Sequence, residues 1–109
     1  MSHVSTHVLD TAQGRPARGV IVVLEHALGD PILATEVTDD DGRVAAVGPD
    51  RLEPGTYRLR FNTGAYFADL GLDGFYPEVC ITFEVTEPGE RYHVPLLLSP
   101  FGYSTYRGS

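Results

Sequence analysis

Two histidines stand in stretches that alternate as half-buried strands do: His7 in STHVLD and His93 in YHVPLLL. Along such a stretch successive side chains point to opposite faces. His7 therefore shares a face with Ser5 and Leu9. His93 shares one with Pro95 and Leu97, opposite Tyr92, Val94, Leu96 and Leu98, which must supply core. Two imidazoles invite the question of zinc, which takes four close nitrogen, sulfur or oxygen ligands. The chain has no HxH or HExxH spacing, and a single cysteine cannot build a thiolate cluster. Arg43 follows the turn of TDDDGRV on a short strand. There it is either a solvated arginine or one reaching into a groove, and its planar fork can grip a carboxylate, an enolate or an imide edge. A fixed cation beside the histidines would oppose a dication further. No metal site is predicted.

The same TDDDGRV segment lacks the alternate-ligand spacing and closing Glu of the twelve-residue calcium loop. An Asp-Gly hairpin turn accounts for it. Cys80 falls mid-strand on the polar face of VCITFEV, a slot that does not suit a nucleophile. The remaining histidines, His3 and His26, carry no comparable pattern. Outward Leu9 and Leu97 beside outward histidines leave two readings open. The histidines are surface groups near an oligomer contact, or they line a groove that a partner covers.

The elements that must position these residues are strands. Alternation places them at Val4–Leu9, Gly19–His26, Ile32–Thr38, Gly42–Ala46, Thr56–Asn62, Val79–Val85, Tyr92–Leu98 and Tyr103–Arg107. Turn signals such as AQGRPARG, LGDP, DDDG, EPG and DGFYP separate them. Turns at roughly 8–12-residue spacing mark a β-sandwich. One short helix is predicted from Gly64 to Leu70, closed by Gly71. The fold class is all-β, seven or eight strands in two packed antiparallel sheets.

At 109 residues one domain is expected, spanning 1–109, and 42% hydrophobic residues can fill one core. The net charge is −7, every cation is an Arg, and no basic stripe exists, so nucleic-acid partners are excluded. No apolar run approaches the ~20 residues of a membrane span. No signal peptide or peroxisomal tripeptide is present, which makes a cytoplasmic protein the expectation. The ending FGYSTYRGS is unusual, because domain ends lean towards small or charged residues unless something ties them down. Phe101, Tyr103 and Tyr106 there imply a last strand or the wall of a site.

Three separated segments, STHVLDTAQGRPARGV, DGR and HVPLLLSPFGYSTYRGS, resemble the transthyretin-like 5-hydroxyisourate hydrolases. The resemblance runs from Ser5 to Ser109, and Tyr-Arg-Gly-Ser separates it from the hormone carrier of the same fold. It implies a transthyretin-like sandwich assembled as a homotetramer, with sites at the dimer–dimer interface and tails lining them. The implied activity is hydrolysis of 5-hydroxyisourate, the unstable product of urate oxidation, without cofactor or metal. Carried over by motif, His7 and His93 are a catalytic pair, one acting as general base on water. An imidazole pKa of about 6.5 suits that work. Arg43 would orient the substrate and stabilise the oxyanion, Tyr106 would bind the ring, and Ser109 would complete the proton network. A small-ligand carrier is the alternative, though polar His, Arg and Tyr disfavour an apolar ligand.

Overall fold

The computed structural model describes residues 4–28 and 31–109. His3 and the Gly29–Asp30 half of the expected LGDP turn lie outside the described residues. Among the described residues there are nine strands, the clearest alternation being that of buried and half-buried side chains from Val4 to Asp10. They are β1 (Val4–Asp10), β2 (Arg15–Pro16), β3 (Ile21–His26), β4 (Ile32–Val37), β5 (Arg43–Val44), β6 (Gly55–Phe61), β7 (Val79–Val85), β8 (Tyr92–Ser99) and β9 (Gly102–Thr105). One helix, α1 (Thr63–Asp69), follows β6.

The strands form two sheets. One runs β2-β1-β8-β9 with β5 added on β1; the other runs β4-β3-β6-β7. Their inner faces share one core in which Phe61, Phe67, Leu24, Leu59, Leu96 and Leu98 are fully buried. The all-β, two-sheet expectation stands, with one correction: β1 and β8 are parallel, so the first sheet is mixed. Side-chain alternation is identical in parallel and antiparallel strands, so pattern alone cannot distinguish them.

Local differences have local causes. Arg15–Pro16, read as part of a turn, pairs briefly with the end of β1. The expected Gly42–Ala46 strand shortens to Arg43–Val44, and the turn before it passes the chain between sheets, because β5 pairs with β1 and not with β4. The last strand stops at Thr105 and not Arg107. Helix α1 begins one residue early, where the Asn62 side chain accepts a hydrogen bond from Ala65 N at 3.2 Å. Seven residues are too few to hold a helix alone. Buried Tyr66 and Phe67 anchor it, and the Tyr66 hydroxyl donates to buried Asp10 at 2.7 Å.

Candidate active site

The outer face of the first sheet carries the candidate residues, and register decides which of them meet. Ser5 and His93 are partners across the parallel β1–β8 pair, and His7 lies between Arg43 of β5 and Pro95 of β8. His7 and His93 are thus one row apart, about 7 Å by strand geometry. The Ser5 hydroxyl lies 2.8 Å from His93 Nδ1. His7 Nε2 lies 2.8 Å from the Asp41 carbonyl. A carbonyl only accepts, so this ring nitrogen carries a proton and donates it.

Arg43 is set by the turn before it. Asp39 Oδ1 accepts from the backbone N–H of both Asp41 and Arg43 at 2.9 Å. Gly42, at φ +74, brings the turn against β1, and its carbonyl accepts from Val8 N at 2.7 Å. A Cβ at this position would run into the Val8 carbonyl, so only glycine lets Arg43 sit beside His7.

The tail closes the other side. Gly108 forms a bridge with His93 and donates its N–H to the His93 carbonyl at 2.8 Å. A Cβ on Gly108 would strike the His93 ring and stand 3.3 Å from Pro95 Cγ. Arg107 is held on the far side, its guanidinium 4.7 Å from the centre of the Tyr92 ring and 3.8 Å from the Glu90 carboxylate. The imidazole is thus seated between the Ser5 hydroxyl and the backbone of the tail.

These groups enclose a cleft of about 290 Å³ lined by Ser5, Arg43, Arg91, His93 and Ser109 among others. Tyr106 does not line it. It is exposed and, with Ile81, Phe83 and Tyr92, faces a second cavity of about 290 Å³ that His93 also borders. Within one chain the structure therefore brings Arg43, His93 and Ser109 together and sets His7 beside Arg43. Tyr106 is left on the other side of the tail. Three residues of the site lay outside the sequence expectations: Ser5, Arg91 and Gly108. Arg91 was within reach, since it precedes His93 by two residues and so shares its outward parity. Gly108 falls within the terminal Tyr-Arg-Gly-Ser motif, but alternation gave it no role of its own.

Burial pushes the His93 pKa below its ordinary value, and the positive charges of Arg43 and then His7 push it the same way, against a hydrogen bond to the Ser5 backbone. A neutral imidazole beside a fixed guanidinium can take a proton from water while the cation receives developing negative charge. Among the described residues no three His, Cys, Asp or Glu side chains converge on one point. No helix is long and apolar enough to cross a membrane.

The fold and this cleft define a transthyretin-like β-sandwich that presents paired histidines and an arginine on the outer face of one sheet. The chain belongs to the HIUase/Transthyretin family, whose model matches residues 4–108. It is 50% identical over 109 residues to the 5-hydroxyisourate hydrolase of Salmonella dublin, covering 97% of this chain and 80% of that one. The solved 5-hydroxyisourate hydrolase of Klebsiella pneumoniae superposes with a TM-score of 0.90 at 40% identity, over 100% of this chain and 94% of that one. Sea bream transthyretin in complex with thyroxine superposes with a TM-score of 0.88 at 31% identity, over 97% and 94% of the two chains.

Proposed function

We propose that this protein hydrolyses 5-hydroxyisourate, adding water across an amide bond of the six-membered ring to give the ureidoimidazoline carboxylate of urate catabolism. The observation that carries this reading is the seating of His93: held towards the neutral form, fixed by Ser5 and Gly108, and in one cleft with Arg43 and Ser109. His93 is the general base on water. Arg43 orients the substrate carbonyl and stabilises its oxyanion. His7 donates from Nε2 to a backbone carbonyl, so that nitrogen is not free to act as base, and His7 serves beside Arg43 in orientation and charge. Ser109 completes the proton network and Tyr106 binds the ring. The reaction so described asks for a base, a cation and a proton network, and activity that survives dialysis against a strong chelator is expected.

Because Tyr106 and the cleft lie on opposite sides of the tail of one chain, their joint action needs a second subunit. We place the site in a homotetramer, at the interface between dimers, where half-buried Leu9 and Leu97 on the same outward face find cover. An exposed free Cys80 suits a reducing, cytoplasmic setting. The carrier reading has the sea bream relative behind it, but a cleft lined by two arginines, a histidine and two serines does not suit an apolar ligand. The test is the absorbance decay of freshly made 5-hydroxyisourate with and without protein. Acceleration proportional to protein concentration is expected, and decay at the spontaneous rate would rule the enzyme out.

A further inference from the structure

We infer that Arg91 is a second anion-binding residue of this cleft, placed to receive the carboxylate that ring opening creates. The inference rests on the hydrolase reading for the source of the anion, and on the structure for the site. Arg91 stands two residues before His93 and lines the same cleft as Arg43, His93 and Ser109. Its carbonyl accepts from Arg107 Nη2 at 3.4 Å, which ties this point of the chain to the tail.

The other arginines show why this one stands apart. The chain is acidic, at net −7 with eight arginines. Arg18 pairs with Asp40, Arg58 and Arg60 with Glu25, and Arg107 with Glu90. Among the described residues Arg15, Arg43, Arg51 and Arg91 have no carboxylate partner within ion-pair distance, and of these four Arg43 and Arg91 line the same cleft. Two guanidiniums without an ion-pair partner therefore line one small cleft in a protein rich in carboxylates. Their mutual repulsion favours an anion between them.

The reaction makes one where the substrate has none. Water gives its hydroxyl to the carbonyl carbon and a proton to the departing ring nitrogen. The carboxylic acid so formed loses its proton by way of His93 to solvent. The resulting carboxylate has two oxygens, the old carbonyl oxygen already on Arg43 and the one brought by water. A single guanidinium engaged with the first leaves the second for Arg91. Fork-and-carboxylate pairing of this kind is the geometry at which arginine excels.

Calorimetric titration with orotate, a cyclic imide bearing a carboxylate, and with uracil, the same ring without it, tests the site with no need of turnover. Wild type is expected to bind orotate at least about tenfold tighter than uracil, the scale of one hydrogen bond to a charged group. Arg91→Gln is expected to remove most of that preference and Arg91→Lys to restore part of it. A preference left intact by Arg91→Gln overturns the inference, as does a wild type without preference. So does an equal weakening of both ligands, the mark of a residue that only holds Ser109 in place. Turnover of 5-hydroxyisourate by the same wild-type preparation is measured beside it. Its absence would overturn the hydrolase reading and the carboxylate's origin as product, while the titration alone still decides for or against the anion site.

Discussion

His93 is held by three different kinds of contact, and each can be removed singly. With the imidazole as the proposed base, His93→Ala is expected to cut turnover by about 100-fold or more, the usual scale for a lost acid–base group, with an unchanged circular dichroism spectrum. A near-normal rate in that variant would end the assignment. Because burial, Arg43 and His7 depress its pKa, the acid limb of kcat/KM should lie below about pH 6.5. Arg43 is a depressing charge, so Arg43→Gln should move the limb up towards 6.5 as it lowers the rate. A limb that stays in place in that variant would show that the titrating group is not His93. The third contact is steric: Gly108→Ala places a methyl against the ring. A shift near ~1 Å can cost on the order of 100-fold in rate, and loss of activity with an unchanged Tm is the expected outcome.

At the scale of elements, some of this arrangement was legible in the chain and some was not, for physical reasons. The outward faces of His7 and His93 could be read because their opposite faces are continuous hydrophobic series. Pairing could not. The neighbour relations Ser5–His93 and His7–Arg43 depend on register between strands distant in the chain, and alternation carries no register. Buried Glu25 was illegible for a similar reason. In IVVLEH it occupies an outward position, yet Arg58 and Arg60 on the neighbouring strand cover it and bond to both its oxygens, at 2.7 and 2.9 Å for the nearest pairs. Hydrogen bonds from Arg58, then Arg60, hold its pKa below the ordinary value. A depressed carboxylate stabilises the fold at neutral pH and loses that contribution as pH falls below its unfolded value of about 4.5 and through the folded one. Glu25→Gln should therefore lower Tm at pH 7 and flatten its fall in acid, with no effect on the pH profile of turnover. Equal acid sensitivity of the two proteins would mean the pair contributes nothing. Helix α1 offers the other element-scale test. Tyr66→Phe leaves buried Asp10 short of a donor and should cost about 1–3 kcal/mol of stability by denaturant titration. A loss below a few tenths would show that the hydroxyl does not anchor the helix.

At the scale of the whole molecule, the proposed site draws on more than one chain. The tail separates Tyr106 from Arg43 and Ser109, and Phe101, Tyr103 and Tyr106 remain well exposed on a single subunit. Half-buried Leu9 and Leu97 on the outward face of the first sheet are the kind of surface that another copy covers, and depletion of charge marks the centre of such interfaces. A charge introduced there should separate assembly from folding. We expect wild type to run as a tetramer by light scattering. Leu97→Glu should run as a smaller species, because burying an unpaired carboxylate costs several kcal/mol while its exposure on a free subunit costs little. The inner face of β8 is untouched by the change, so the β spectrum should persist. Turnover should fall with the tetramer fraction as the protein is diluted, more steeply in the variant than in wild type. A fully active monomer would show that each chain carries a complete site, and that the aromatic tail serves its own subunit alone.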